Sequence, residues 1–424
     1  MKKVLVDTLN KNKQEYIEDL KGLIGIKTEN IGHGVLGGYE KEGQVYLEKL
    51  AKEVGFDAQR QDMSEETILK SRKINKEGNI GHNYKDHDRY NLICEYSEKN
   101  PGKTIVFNGH IDTMPAGDLS KWTYDPYTGT EVDGKIYGLG TADMKSGLIA
   151  PIMAVKLIKE SGLELPGTVK VMSVCDEEGG GNGTVNAVMN GIEGDYCVVC
   201  ECSEKNMIVA HMGFVGFDVD VKGIALHAGS KWKGVNAIEK AMLLIQDLKE
   251  LEHNWLMNYK HPLLPAPTIN LGVIQGGDAA STVAGKCTFK AMAHFLPTVM
   301  SYDQVVDDIF NTIKTRAEGD SWLRENMPEI TISQSGFGFE IDTKSEFVTK
   351  TKDILEDTLD REVKIISSTA GNDARIMQNM AEIPTIILGP ASINQCHSVD
   401  EYVEIDSYLE SILMYASMIL NLSK

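Results

Sequence analysis

The chain has 424 residues, 42% hydrophobic and 25% charged, with 43 Lys+Arg against 62 Asp+Glu for a formal net charge of −19. That length exceeds what one hydrophobic core ordinarily serves and predicts two domains, while the acidic excess opposes binding to nucleic acid or to an anionic membrane surface. No apolar run reaches the length of a bilayer span, segment 1–7 turns polar too early for a secretory leader, and seven cysteines without a paired spacing suit a reducing compartment; a cytoplasmic location is expected.

Residues 11–25 and 41–56 carry helical periodicity, the second through Leu47, Leu50, Ala51 and Val54. Between them Gly32, Gly34, Gly37 and Gly38 predict a flexible loop. Residues 63–88 are charged and irregular, and predict an exposed excursion without chemistry whose histidines, His82 and His87, are solvated. Two strands follow at 91–96 and 104–107, and the second runs into Asn108-Gly109-His110-Ile111-Asp112-Thr113. Alternation along a strand puts His110 and Asp112 on one face, where a carboxylate can orient an imidazole for metal ligation.

The stretch 137–147 reads Tyr-Gly-Leu-Gly-Thr-Ala-Asp-Met-Lys-Ser-Gly and opens an apolar helix. It is not a dinucleotide-binding turn, because Asp143 stands where the third glycine would be and its charge would face a pyrophosphate. On its own Asp143 fits a helix N-cap as well as a metal ligand. A strand at 168–175 ends in Asp176-Glu177-Glu178, and three adjacent acids there raise one another's pKa unless a cation sits among them. If one glutamate ligates that cation, its neighbour can move a proton. Glu201, in the apolar run 196–202, is either a strand-end residue or a ligand. Cys197, Cys200 and Cys202 lack a second cysteine pair at zinc-thiolate spacing and read as packing residues.

From residue 215 a strand, a helix at 234–251, strands at 268–274 and 286–294, a helix at 302–316 and a strand near 329–333 form a β-α-β-β-α-β module. His227 lies in one of its loops, among small residues. The return segment places a helix at 345–359, a strand at 363–366, Asn372, Asp373 and Arg375 at a helix start, a strand at 385–388, His397 in a Gly/Pro-containing loop, and a C-terminal helix. Loops after buried strands are where open α/β sheets carry their sites.

Taken in order, H-x-D at 110–112, G-x-G-x-x-D-M-K at 138–145, D-E-E at 176–178, Glu201 and the late His397 resemble the two-domain zinc aminoacylase and exopeptidase family that includes acetylornithine deacetylase, succinyl-diaminopimelate desuccinylase and the glutamate carboxypeptidases. The resemblance runs over nearly the full length. It implies an α/β, zinc-exopeptidase-like catalytic domain, a mixed sheet flanked by helices, made from 1–212 and 330–424. An inserted α+β, ferredoxin-like lid and dimerisation domain over 213–329 is implied, with hinges near 212–214 and 326–332. It further implies that His110, Asp143 and Glu201 hold one zinc and Asp143, Glu178 and His397 a second, with Asp143 bridging, Asp112 orienting His110 and Glu177 as general base and acid. His227 matches the family's lid histidine, which reaches a partner subunit's site and stabilises the oxyanion, so a homodimer is expected.

Where the family usually carries Asn and Val-Pro after Gly276-Gly277, this chain has Ser281, Val283 and Ala284, and His294 stands where an arginine is common. Because the matching residues of relatives help bind a substrate carboxylate, altered substrate recognition is expected, with Arg375, Asn372, Ser281 and His294 as candidates. The expected activity is metal-dependent hydrolysis of an N-acyl amino acid, with a dipeptidase or carboxypeptidase as the nearest rival and a non-catalytic metal-binding scaffold as the alternative of another class. Imidazole and carboxylate ligands also accept Co2+ or Mn2+.

Overall fold

In the computed structural model, which describes residues 1–31, 37–98 and 102–424, the chain divides into two units. The first comprises Met1–Val209, Ile341–Ile366 and Asn372–Lys424; the second comprises Ala210–Glu340 and Ser367–Gly371. Of the glycine loop expected between the first two helices, Gly32 and Gly34 lie outside the described residues.

The first unit is built on a mixed sheet whose strands run Asp57–Asp62, Tyr90–Ser97, Thr168–Val174, Thr104–His110, Tyr196–Val199, Thr385–Ile387 and the opening residues of Met207–His211 across the sheet. The four from Thr168–Val174 to Thr385–Ile387 are mutually parallel, and the flanking pairs are antiparallel. Parallel strands are covered on both faces, which is why Ile105, Val106, Phe107, Val169, Val171 and Val198 are buried in near-continuous apolar runs. The Ser146–Glu160 helix is buried around most of its circumference and packs on Ile405–Leu422 and Lys2–Ile24. The Tyr415 ring of the C-terminal helix lies 5.0 Å from that of Phe107.

This topology brings the C-terminal ends of the parallel strands to one edge of the sheet. His110 is the last residue of its strand and is paired in register with Val174, two residues before Asp176. Glu201 follows Val199 by two residues, and the loop bearing His397 follows Ile387. Chemistry-bearing residues far apart in sequence thus share one rim.

The region 63–88 differs from the expected excursion. Ser64 accepts the Thr67 N–H at 3.2 Å and caps a helix, Glu65–Asn75, which was hard to read because only Ile68 and Ser71 on it are buried.

The second unit has an antiparallel sheet in the order Thr268–Gly276, Lys286–Phe295, Gly213–Lys222, Glu329–Gly336, with helices Ala237–Asn258 and Tyr302–Gly319. Alternate residues Val215, Phe217, Val219 and Val221 face its core together with Leu244, Trp255 and Ile309. Residue 329, the expected domain boundary, begins a strand that pairs with Gly213–Lys222, and this pairing carries the unit on to Glu340.

Candidate metal centre

His110 sits at the end of its strand with Nδ1 2.8 Å from the main-chain oxygen of Asp112. A carbonyl oxygen only accepts, so Nδ1 carries the hydrogen and Nε2 presents its lone pair. That nitrogen lies 3.1 Å from Asp143 Oδ1 and 3.3 Å from Glu201 Oε1. On the other side of Asp143, Oδ2 is 3.3 Å from His397 Nε2, which is in turn 3.3 Å from Glu178 Oε1. The two oxygens of Asp143 therefore face two different imidazoles. Ligand atoms of His110, Glu177 and Glu201 lie within 4.8 Å of one another, as do those of Asp143, Glu178 and His397.

These groups fit a pair of divalent cations. A neutral imidazole whose lone pair faces two carboxylate oxygens is repelled unless a proton or a cation lies between them. Glu178 Oε1 is buried without a hydrogen-bond partner among the described residues, despite the nearby His397 nitrogen. Burial raises the carboxyls of Glu177 and Glu201 and takes that of Glu178 to about 7. Burial alone would lower His110, yet its contacts with Asp143 and Glu201 hold it well above the usual imidazole range. A divalent cation among these groups would balance the charge that burial otherwise disfavours. Two imidazoles and several carboxylates form a borderline donor set suited to Zn2+, Co2+ or Mn2+.

The turn that delivers Asp143 is held from the far end of the chain. Glu401, a residue the sequence reading did not single out, is buried, and Oε2 accepts the Gly140 N–H at 2.9 Å while Oε1 accepts those of Ala142 and Asp143 at 2.7 and 3.0 Å. The backbone of Asp143 is not helical, with φ −116° and ψ 90°; the helix that follows has Lys145 at its N-cap with no side-chain cap bond, and the Asp143 carboxylate faces the two imidazoles instead of capping it. Its partner lies 258 residues away, and no local pattern announces it.

Asp112 acts differently from the expected carboxylate–imidazole pairing. Its Oδ1 is 3.8 Å from His110 Nδ1, whereas the carboxylate accepts the Glu177 N–H at 3.2 Å, the Glu178 N–H at 3.1 Å and Asn30 Nδ2 at 2.7 Å. The main-chain carbonyl fixes the imidazole, and the side chain fixes the acidic turn.

Asp176, the first acid of that turn, is balanced by an arginine of the protein and by hydrogen-bond donors around it. Arg89 Nη2 lies 2.9 Å from its Oδ1, His82 Nδ1 2.8 Å from Oδ2, and Tyr84 and Asn182 donate to it at 2.8 and 2.7 Å. Arg89 is itself buried and paired with Glu40, and it donates to Asn30 Oδ1 at 2.8 Å. His82, expected to be solvated, thus secures the turn. Arg375 is also engaged within the protein: Nε lies 3.3 Å from Glu77, and the guanidinium donates to the oxygens of Asn372 at 2.7 Å and Gly180 at 3.1 Å. Asn372 Oδ1 accepts the Ala374 N–H at 3.0 Å. The Glu177 carboxyl makes no hydrogen bond with any described residue.

His227, Ser281 and His294 belong to the second unit. His227 is exposed, with Nδ1 accepting the Gly229 N–H at 3.1 Å, and it bridges to Thr282 beside Ser281. His294 lies on the strand Lys286–Phe295, where partial burial lowers its imidazole pKa.

The family model for peptidase family M20/M25/M40 matches residues 106–421. The chain is 31% identical over 329 residues to an N-formyl-4-amino-5-aminomethyl-2-methylpyrimidine deformylase of Bacillus subtilis, covering 72% of this chain and 76% of that protein. It is 31% identical over 324 residues to an acetylornithine deacetylase of Proteus mirabilis, covering 74% and 78%. Its fold matches that of an M20 family metallo-carboxypeptidase from Sulfolobus solfataricus with a TM-score of 0.74 at 16% identity, over 96% and 98% of the two chains. No helix among the described residues is long and apolar enough to cross a membrane. With most of its length matched and its rim of imidazoles and carboxylates suited to divalent ions, the chain belongs to peptidase family M20/M25/M40, metal-dependent hydrolases of amide and peptide bonds.

Proposed function

We propose that the protein is a dinuclear zinc amidohydrolase that removes a small acyl group from an N-acylated amino acid or a closely related small amine. The observation that carries this reading is Asp143, whose two oxygens face His110 and His397 separately, beside a Glu177 carboxyl that has no hydrogen-bond partner among the described residues. His110 and Glu201 would hold one ion, Glu178 and His397 the other, with Asp143 shared. Two zinc ions, when bound, supply Lewis acidity that polarises an amide carbonyl and acidifies water. Glu177 takes the proton of the attacking water and returns it to the departing nitrogen. Asp112, holding the Glu177 and Glu178 N–H groups, keeps those two carboxyls in register.

Deacylation is favoured over peptide cleavage because the deformylase and deacetylase relatives are 31% identical to this chain over the aligned residues, whereas the peptidase-named structure shares its fold at 16% identity. With Arg375 matched by Glu77, a substrate carboxylate falls to Ser281, His294 or Asn372. We further read the second unit as a lid that builds a homodimer, since its strand Thr268–Gly276 is exposed and carries Leu271, Val273 and Ile274, and we read His227 as the oxyanion partner supplied across that interface. A cytoplasmic setting agrees with seven free cysteines.

The test is a panel of formyl-, acetyl- and succinyl-amino acids beside dipeptides, assayed with zinc, cobalt or manganese loaded. Turnover of acylated amines ahead of dipeptides is expected. Preference for dipeptides would favour the peptidase reading, and no turnover of any amide by metal-loaded protein would leave only a binding scaffold. Mixing His227→Ala with Glu177→Ala subunits should restore part of the activity if the histidine works in trans.

A further inference from the structure

Two of the seven cysteines adjoin residues of the metal centre. Cys202 follows Glu201 and Cys396 precedes His397, and their sulfurs lie 3.4 Å apart although the residues are 194 positions apart in the chain. Cys202 is 5% exposed and donates through Sγ to the Ala142 oxygen at 3.0 Å, on the same turn that presents Asp143. Cys396 is partly exposed whereas the other six cysteines are buried, so a small solute can reach it first. The cysteines that read from sequence as packing residues therefore include one half of a close thiol pair.

We propose that Cys202 and Cys396 form an oxidative modification site, converted by a peroxide into a disulfide that weakens the hold of Glu201 and His397 on the metal centre. The inference rests on the reading of those two residues as ligands. In the first step Cys396 sulfur attacks the peroxide: an S–O bond forms, the O–O bond breaks, and the departing oxygen takes the thiol proton and leaves as water when the oxidant is hydrogen peroxide. In the second step Cys202 sulfur attacks the sulfenic sulfur: the S–S bond forms, the S–O bond breaks, and the hydroxyl leaves as water with the Cys202 proton. The two sulfurs together lose two electrons, the peroxide gains them, and a dithiol reductant reverses the change.

The geometric consequence follows from bond lengths. A disulfide holds its sulfurs at about 2.05 Å, so the 3.4 Å contact must close by more than an ångström. Metal ligands work within about 0.2 Å of their ideal distances. His397 is bonded directly to Cys396, and its Nε2 lies 3.3 Å from both Asp143 Oδ2 and Glu178 Oε1, so a displacement of Cys396 is passed to those contacts. Pulling Cys396 toward Cys202 therefore moves His397 against Asp143 and Glu178.

The experiment exposes the full-length, zinc-loaded protein to hydrogen peroxide and follows intact mass, the peptide map and bound zinc by elemental analysis. The expected result is a mass lower by two hydrogens, a mapped Cys202–Cys396 cross-link, a loss of zinc affinity on the order of tenfold, and recovery with dithiothreitol. Cys396→Ser and Cys202→Ser should keep their zinc under the same exposure. Oxidation to sulfinic or sulfonic acid without the cross-link overturns the proposal, and so does a cross-linked protein that retains its zinc. A protein that takes up no zinc before oxidation contradicts the metal reading itself, whereas one that loads zinc and never cross-links contradicts only the thiol pair.

Discussion

Glu401 accepts the backbone N–H of Asp143 at 3.0 Å, and through the same carboxylate those of Gly140 and Ala142. The residue is buried, and desolvation raises its carboxyl to about 8, against the pull of those three donors. The shape of the turn that presents the shared aspartate thus depends on one carboxylate from the other end of the chain. Replacing Glu401 with Ala should lower metal affinity on the order of 10- to 100-fold while leaving the fold intact, as outer partners of ligands do. Metal titration with a chromophoric chelator, alongside circular dichroism, reads both. An unchanged affinity would mean that the turn holds itself.

The division of labour at Asp112 makes a second expectation. Because the His110 imidazole is fixed by a main-chain oxygen, Asp112→Asn should retain both metal ions yet lose turnover, on the order of 10- to 100-fold, since the amide replaces a carboxylate that accepts the Glu177 and Glu178 N–H groups. Metal stoichiometry and kcat measured on the same sample decide it. Loss of a metal ion would place the carboxylate in charge of the imidazole after all.

Arg89 sits at 0% exposure between Glu40 and Asp176. Removing one member of a buried ion network leaves charges without a partner, which costs about 3–5 kcal/mol. Arg89→Met should therefore shift the urea midpoint of the first unit sharply downward, and Arg89→Met with Glu40→Gln should recover part of the loss. A single variant as stable as the parent would show that His82, Tyr84 and Asn182 suffice to hold Asp176.

What the sequence disclosed and what it hid follows from where each signal resides. His110, Glu178, Glu201 and His397 were legible because ligand-type side chains stand where apolar strands end, and the parallel strands then carry them to one rim. The roles of Glu401, Arg89 and His82 were hidden because each is defined by a partner dozens to hundreds of residues away, with nothing periodic to mark it. The Glu65–Asn75 helix was missed because it buries too little to leave an apolar stripe. Asp176 was misread for a related reason: adjacent acids on paper share a cation, but the fold gives one of them an arginine.

The centre gathers several buried carboxylates around two imidazoles, so stability should depend on metal in a direction that one substitution can reverse. Glu178→Gln removes a negative charge facing Asp143, so in chelator-treated protein it should leave Tm unchanged or raised. With zinc present the same variant should melt lower than the parent, having lost a ligand whose binding energy stabilises the folded state. Differential scanning fluorimetry with and without metal gives both readings, and a drop in both states would mark Glu178 as a packing residue.

The most direct measurement is anomalous scattering from crystals of zinc-loaded protein. The account predicts two zinc peaks, about 3.5–4 Å apart, one beside His110 and Glu201, the other beside Glu178 and His397, with Asp143 reaching both and Glu177 ligating neither. A single peak, or a Glu177 carboxylate bound as a ligand in place of Asp143, would contradict it.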